Sequence, residues 1–306
     1  MGEFSVSDTA RSLIAQTVER VEGTLQEVLS PTSQAGEGPR PARLVEAMRY
    51  AALAGGKRLR PALMIESARL LGRTDDGVLV AAAALECIHC YSLVHDDLPA
   101  MDDDDLRRGR PTTHIAFDEA TAILAGDSLL TLAFDLIARP EVSDSAQVRL
   151  TLSQELARAA GVGGMAGGQM MDLESEHRAR TEDEIRLLQS LKTGALIRYA
   201  CRSGAILAQA SPQTVETLTR FGEIIGYAFQ LADDLLDACG DAEVVGKATG
   251  KDADKGKATL LGLMGEDKAR KILAGLIEEA LSLLAPFEDK ADNLTALAKF
   301  VAARSN

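Results

Sequence analysis

The sequence predicts an all-α protein, and three observations carry that reading. Hydrophobic residues make up 46% of the 306 residues while aromatics are 4% and Trp is absent, so the core has to be built from Ala, Leu, Ile and Val. Only 9 prolines interrupt long Ala- and Leu-rich stretches, a composition that favours helix. Short runs of alternating polarity bounded by turns, the mark of strands, are missing.

From the N-terminus, "VSDTARSLIAQTVERVEGTLQEVL" carries apolar residues at three-to-four spacing behind Ser and Asp caps, and reads as an amphipathic helix. "SPTSQAGEGPRP" (30–41) is a loop. "ARLVEAMRYAALAGG" and "RPALMIESARLLG" are helices that end in Gly. "DGVLVAAAALECIHCYSLVHDD" is long, nearly uncharged and Ala-rich, a helix buried all round near the middle of the molecule. Further helices are expected at about 115–138, 143–160, 181–209, 213–239 and 267–285, with a short one near 293–304. There is no fixed-period repeat, low-complexity tract or composition break. Residues 1–306 therefore read as a single domain of about ten or more helices around a deep core.

Charge and cysteine use narrow the partners. Lys+Arg 33 against Asp+Glu 46 leaves −13, which argues against nucleic acid or an anionic membrane surface as a partner. No stretch reaches roughly 18 uncharged apolar residues, so no membrane span is expected. "MGEFSVSDTARSL" is polar, unlike a secretory leader. Cys87, Cys90, Cys201 and Cys239 are sparse, which fits a reducing compartment; the expected location is cytoplasmic.

The chemistry concentrates in "HDDLPAMDDDDLRRGRP" (95–111). Asp96, Asp97, Asp102, Asp103, Asp104 and Asp105 end the buried helix, where the helix dipole already disfavours negative charge. Pro99 disturbs a straight helix, so a bulge or short loop should bring Asp102 back toward Asp96. "QLADDLLDACGD" closes a second apolar helix with Asp233, Asp234, Asp237 and Asp241; Asp233 and Asp237 share a helix face. One acidic helix end is commonly a solvated surface. Two such ends are better explained by shared cations, and oxygen-only ligands favour Mg²⁺ completed by phosphate oxygens.

Each acidic cluster has a basic run just downstream. "LRRGRP" supplies Arg107, Arg108 and Arg110, and "VGKATGKDADKGKAT" supplies Lys247, Lys251, Lys255 and Lys257. "GGKRLRP" adds Lys57, Arg58 and Arg60, and "LKTGAL" adds Lys192 beside Thr193. Guanidiniums grip phosphate oxygens bidentately and ammoniums act as mobile point charges. "CIHC" (87–90) has no second Cys pair for a closed zinc site and reads as small buried side chains. "GVGGMA" follows a helix and not a strand, so it is no dinucleotide fingerprint; "GGMAGGQMMDL" reads as a place where helices pack closely or kink. His89 is open to two readings, a core histidine or a diphosphate contact.

Together, "HDDLPAMDDDDLRRGRPTTH", "GGKRLRP", "KTGAL", "FQLADDLLD" and "GKATGKDADKGKAT" resemble the trans-isoprenyl diphosphate synthases, and most of all the short-chain bacterial enzymes that make farnesyl diphosphate. The resemblance implies an all-α bundle around a central cavity, a homodimer, and Mg²⁺, with three ions per active site. Asp96, Asp102 and Asp233 would hold metal, with Asp97, Asp234 and Asp237 supporting. The allylic diphosphate would meet Arg107, Lys192, Thr193, Gln230, Lys247 and Lys257. Isopentenyl diphosphate would meet Lys57, Arg60, His89 and Arg108. The allylic C–O bond would ionise, the second substrate's double bond would attack the cation, and a proton would leave with the departed diphosphate. Tyr91, beside Ser92, would form the floor that stops growth at fifteen carbons. The alternatives are a C20 (geranylgeranyl) product, a terpene cyclase, which would not need Lys57, Arg60 and Arg108, and a non-catalytic metal-binding helical protein.

Overall fold

The computed structural model describes residues 7–175, 181–239 and 260–303. Almost every described element is helical, as the composition predicts. The helices are α1 (Asp8–Val28), α2 (Ala42–Ala52), α3 (Leu59–Leu70), α4 (Asp76–Asp96), α5 (Thr113–Ala116), α6 (Glu119–Ala138), α7 (Ala146–Ala160) and α8 (Met165–Ser175), followed by α9 (Glu182–Gln189), α10 (Ala195–Leu207), α11 (Pro212–Cys239), α12 (Leu260–Met264), α13 (Glu266–Leu284) and α14 (Asp292–Ala303).

The chain forms two compact units. The first holds Ile14–Ala62 and Asp75–Ser153. Its centre is α4, packed along α6 and against α2. Ala81–Leu85, Cys87 and Ile88 are fully buried, so α4 is apolar all round as its sequence suggests. Asp75 caps it, accepting a hydrogen bond from the Gly77 N–H at 3.0 Å. The α4–α6 contact is close because Gly126 has no side chain; a Cβ there would meet the His95 ring.

The second unit holds Met1–Leu13, Leu63–Thr74 and Gln154–Asn306. Here α11 is the long central rod, packed on α10, α13 and α14, with Phe221, Ile225, Ala228, Leu231 and Leu235 fully buried. A capping box at Thr181 and Glu184 starts α9.

The structure departs from the expected element list at several places. The 115–138 pattern splits at Phe117 and Asp118; Phe117 leaves helical geometry and Asp118 caps α6, accepting from the Thr121 N–H at 2.7 Å. The 181–209 pattern splits around a π-helical turn at Ser190–Gly194. Helix α8 falls in the Gly-rich run expected to let helices pack closely or kink, and α12 lies where no helix was expected. A small hairpin pairs β1 (Leu106–Arg107) with β2 (Arg110–Pro111), strands too short to show alternation. Its two-residue tip, Arg108–Gly109, has φ of 53° and 73°, the primed turn that suits a tight hairpin. Finally, α4 and α6 are long and apolar enough to cross a membrane by length and composition. The expectation of no span rested on uninterrupted apolar runs, and Glu86 and Asp127 interrupt both helices. The apolar window of α4 is 78% buried within the protein, that of α6 39%.

Candidate active site

In the first unit, α4 ends at Asp96 and the chain folds back on itself. The Asp102 N–H donates to the Asp96 carbonyl at 2.8 Å, and the Asp104 N–H to the Asp97 carbonyl at 3.2 Å. Asp103, with φ of 54°, makes the tightest part of the turn. The loop after Pro99 thus brings Asp102 beside Asp96, as the interrupted helix predicts. Asp96 and Asp102 remain partly exposed, whereas Asp97 is buried. Arg107, carried on β1, explains how a buried carboxylate is tolerated. Its Nε lies 2.6 and 2.9 Å from the two Asp97 oxygens, its Nη2 2.5 Å from Oδ1, and Asp104 Oδ2 is 3.7 Å away. Asp97 therefore serves to anchor Arg107 to the acidic turn.

The basic run around Lys57 assembles in the same unit. Gly55 and Gly56 take φ of 78° and 128°, and the Arg108 guanidinium lies over Gly56 and donates to the Gly55 carbonyl. A Cβ on Gly56 would collide with that guanidinium, so the close approach needs glycine. Arg60 Nη1 stands 3.4 Å from His89 Nε2 on α4. Burial, then the charges of Arg60 and Arg108, push the His89 imidazole well below its usual pKa, so it is neutral. An arginine can only donate, so His89 Nε2 is the acceptor. Arg60, His89 and Arg108 thus converge around one turn, with the exposed Lys57 next to it.

In the second unit, Asp233 and Asp234 are partly buried on α11, Asp237 is exposed one turn on, and Gln230 lies three residues before Asp233. Gln189 Nε2 donates to Asp234 Oδ2 at 3.4 Å. Lys192 and Thr193 sit on the π-helical turn, a local widening often found at functional sites. Lys192 Nζ donates to Asp172 Oδ2 on α8 at 2.7 Å. Gly168, one turn before Asp172, lets α8 approach the backbone of Lys192; a Cβ there would fall 2.2 Å from its nitrogen.

Among the described residues, no three His, Cys, Asp or Glu side chains form a ready-made metal cage. The candidate donors Asp96, Asp102 and Asp233 are all carboxylates, hard oxygen ligands of the kind Mg²⁺ takes one or two at a time beside waters and substrate phosphates, with no thiolate or imidazole of the kind structural zinc takes. The three described thiols agree. Cys87, Cys90 and Cys201 are free and buried, and burial raises all three, Cys90 to about 12, so "CIHC" is core and no metal site.

Over residues 41–294 the sequence matches the polyprenyl synthetase family. The chain belongs to that family. The farnesyl diphosphate synthase of Escherichia coli is 46% identical over 258 residues, covering 83% of this chain and 86% of its own. That of Geobacillus stearothermophilus is 41% identical over 300 residues, 97% of this chain and 100% of its own. A geranylgeranyl diphosphate synthase of Cyanophora paradoxa is 42% identical over 267 residues, 87% of this chain and 89% of its own. Among solved structures, an apo FPP/GFPP synthase from Zymomonas mobilis superposes with a TM-score of 0.85 at 41% identity, covering 96% of this chain and 98% of that one.

In this polyprenyl synthetase family member, Tyr91 meets His95 edge-on, with ring centroids 5.8 Å apart, and Ser92 Oγ donates to the His89 carbonyl at 2.9 Å. Lys247 and Lys257 lie outside the described residues. Sequence reasoning passed over three residues that hold the others: Asp172 under Lys192, Gln189 beside Asp234, and Glu86, which pairs with Arg58. Asp172 had a signal, a carboxylate in the Gly-rich run marked for close packing. Arg58, grouped in the sequence with Lys57 and Arg60 as a phosphate-binding cation, is instead buried against Glu86 and Glu22, because nothing in the sequence separates a buried arginine from the two cations beside it.

Proposed function

We propose that this chain is a Mg²⁺-dependent prenyltransferase. It joins isopentenyl diphosphate head-to-tail to dimethylallyl diphosphate and then to geranyl diphosphate, releasing farnesyl diphosphate and pyrophosphate. The observation that carries this reading is the farnesyl diphosphate synthase of Escherichia coli, 46% identical over most of both chains. The convergence of Arg60, His89 and Arg108 supports a second diphosphate site, which a cyclase would not need.

Asp96, Asp102 and Asp233 would hold Mg²⁺, three ions per active site, with Asp97, Asp234 and Asp237 supporting. Mg²⁺ would draw off charge as the diphosphate leaves. Lys192, Thr193, Gln230, Arg107, Lys247 and Lys257 would bind the allylic diphosphate and add positive charge where negative charge develops. Lys57, Arg60, His89 and Arg108 would hold isopentenyl diphosphate; a neutral imidazole there orients an oxygen without adding charge. The allylic C–O bond breaks with its electron pair going to the diphosphate. The double bond of isopentenyl diphosphate forms the new C–C bond, and a proton passes to the departed diphosphate. No side-chain base is required, and apolar surroundings keep water from the cation.

Residues 1–306 act in this reading as one polyprenyl synthase domain, a cytoplasmic homodimer. The half-covered apolar helix α6 supports the dimer, with Ile123 and Leu124 44% and 55% exposed. The C20 alternative stays in view because a geranylgeranyl diphosphate synthase is 42% identical; Tyr91 favours fifteen carbons.

The test is incubation with Mg²⁺, isopentenyl diphosphate and each allylic primer in turn, with the products chromatographed. A C15 product is expected, lost in Asp96→Ala and in Asp233→Ala; a dominant C20 product, or none from the parent protein, overturns the reading. Calorimetry should show weak Mg²⁺ binding alone and tight binding once a non-hydrolysable diphosphate is present, since the described residues hold no protein cage beforehand.

A further inference from the structure

The turn that carries Lys57 contains a second device. Gly55 and Gly56 reach positive φ without cost, but Arg58 also does, at 45°, which a residue with a side chain holds only when its surroundings enforce it. The enforcement is a clamp. The Arg58 side chain is 0% exposed and that of Glu86 2%. One arm of the guanidinium donates to Glu86 Oε1 at 2.6 Å; the other donates to Glu22 Oε1 at 2.9 Å and to the Ala52 carbonyl at 2.6 Å. Burial alone would weaken the Arg58 charge, yet Glu86 and Glu22 hold its pKa above the ordinary value. The Arg58 carbonyl accepts from the Ala62 N–H at 3.0 Å, so the same residue starts α3. Lys57 precedes it and Arg60 follows in the first turn of α3, while Glu86 stands three residues before His89 on α4. A buried ion pair is weak evidence for stability, because apolar residues of equal volume do as well. Its position points to another task.

We infer that Arg58 is a positioning residue for the isopentenyl diphosphate side of the reaction: clamped to Glu86 and Glu22, it sets the direction in which Lys57 and Arg60 leave the backbone. This rests on the assignment of Lys57, Arg60 and His89 to that substrate. Arg58 itself touches no substrate, since its side chain is fully buried with both terminal nitrogens held in the clamp. Gly at position 58 would relax the turn yet leave its direction unset.

The experiment compares Arg58→Met/Glu86→Gln, which removes both charges at similar volume, with Arg60→Gln, which removes a direct contact. Each is assayed for kcat and both KM values, with thermal melting alongside. The double variant should raise the KM for isopentenyl diphosphate roughly ten- to a hundredfold, the effect of misplacing binding groups by about 1 Å, and change that for geranyl diphosphate by less than about twofold. Added to Arg60→Gln, it should give less than the product of the two effects, because a misdirected Arg60 has little left to lose. A folded double variant with both KM values unchanged, or both raised alike, overturns the positioning role. An unchanged isopentenyl diphosphate KM in Arg60→Gln instead overturns the substrate assignment. Glu86→Gln alone guards against a double variant that fails to fold: it should raise the same KM by a smaller factor, and an unchanged KM there also sinks the proposal.

Discussion

In the proposed reading, one side chain, Tyr91, sets the product length. Its ring stands edge-on to His95, and burial followed by the charge of Asp96 raises its hydroxyl pKa, so it is a neutral, mostly apolar block. One turn further back, Ile88 is fully buried. Tyr91→Ala should therefore extend the product beyond fifteen carbons until Ile88 meets the chain; an unaltered C15 profile on reverse-phase chromatography would show that the floor lies elsewhere. At this scale the sequence was legible wherever charge stood in the wrong place. Aspartates at a helix C-terminus break an electrostatic preference, and so announced themselves. Arg58 and Asp172 break no such rule on paper. Their roles come from burial and pairing, which depend on residues 28 and 20 positions away.

At the scale of elements, helix identity was legible and helix ends were not. The pattern through 181–209 reads as one helix because a π-helical turn keeps the chain helical while shifting the face by one residue. That shift places Lys192 against α8, and Gly168 makes room for it. Gly168→Ala should cost about 1–3 kcal/mol of stability, the usual penalty of overpacking. It should also lower kcat by displacing Lys192 from Asp172. Thermal melting and single-turnover assays check both; parent-like values would mean that α8 yields without disturbing the turn. The hairpin escaped notice for the opposite reason: four strand residues are too few to set a period.

For the molecule as a whole, an all-α fold followed from composition, whereas the two compact units did not. The chain passes from one to the other four times; three of the crossings, Leu13–Ile14, Ala62–Leu63 and Ser153–Gln154, fall inside α1, α3 and α7, where the hydrophobic pattern runs through without a break, and only Thr74–Asp75 falls between helices. The apolar side of α6 bears on assembly. Leu124→Asp puts a charge on its exposed face, and sedimentation should show the proposed dimer weakened while the folded monomer survives; a dimer of unchanged strength would place the interface elsewhere. One feature of α4 reaches further. His89, Tyr91 and Asp96 stand on a single rigid rod that rises about 1.5 Å per residue. In the proposed reading, substrate capture, product size and ionisation are thus graduations on the same ruler. Descendants of this protein can repaint individual marks by point substitution, but any insertion that slides the ruler forfeits all three readings together.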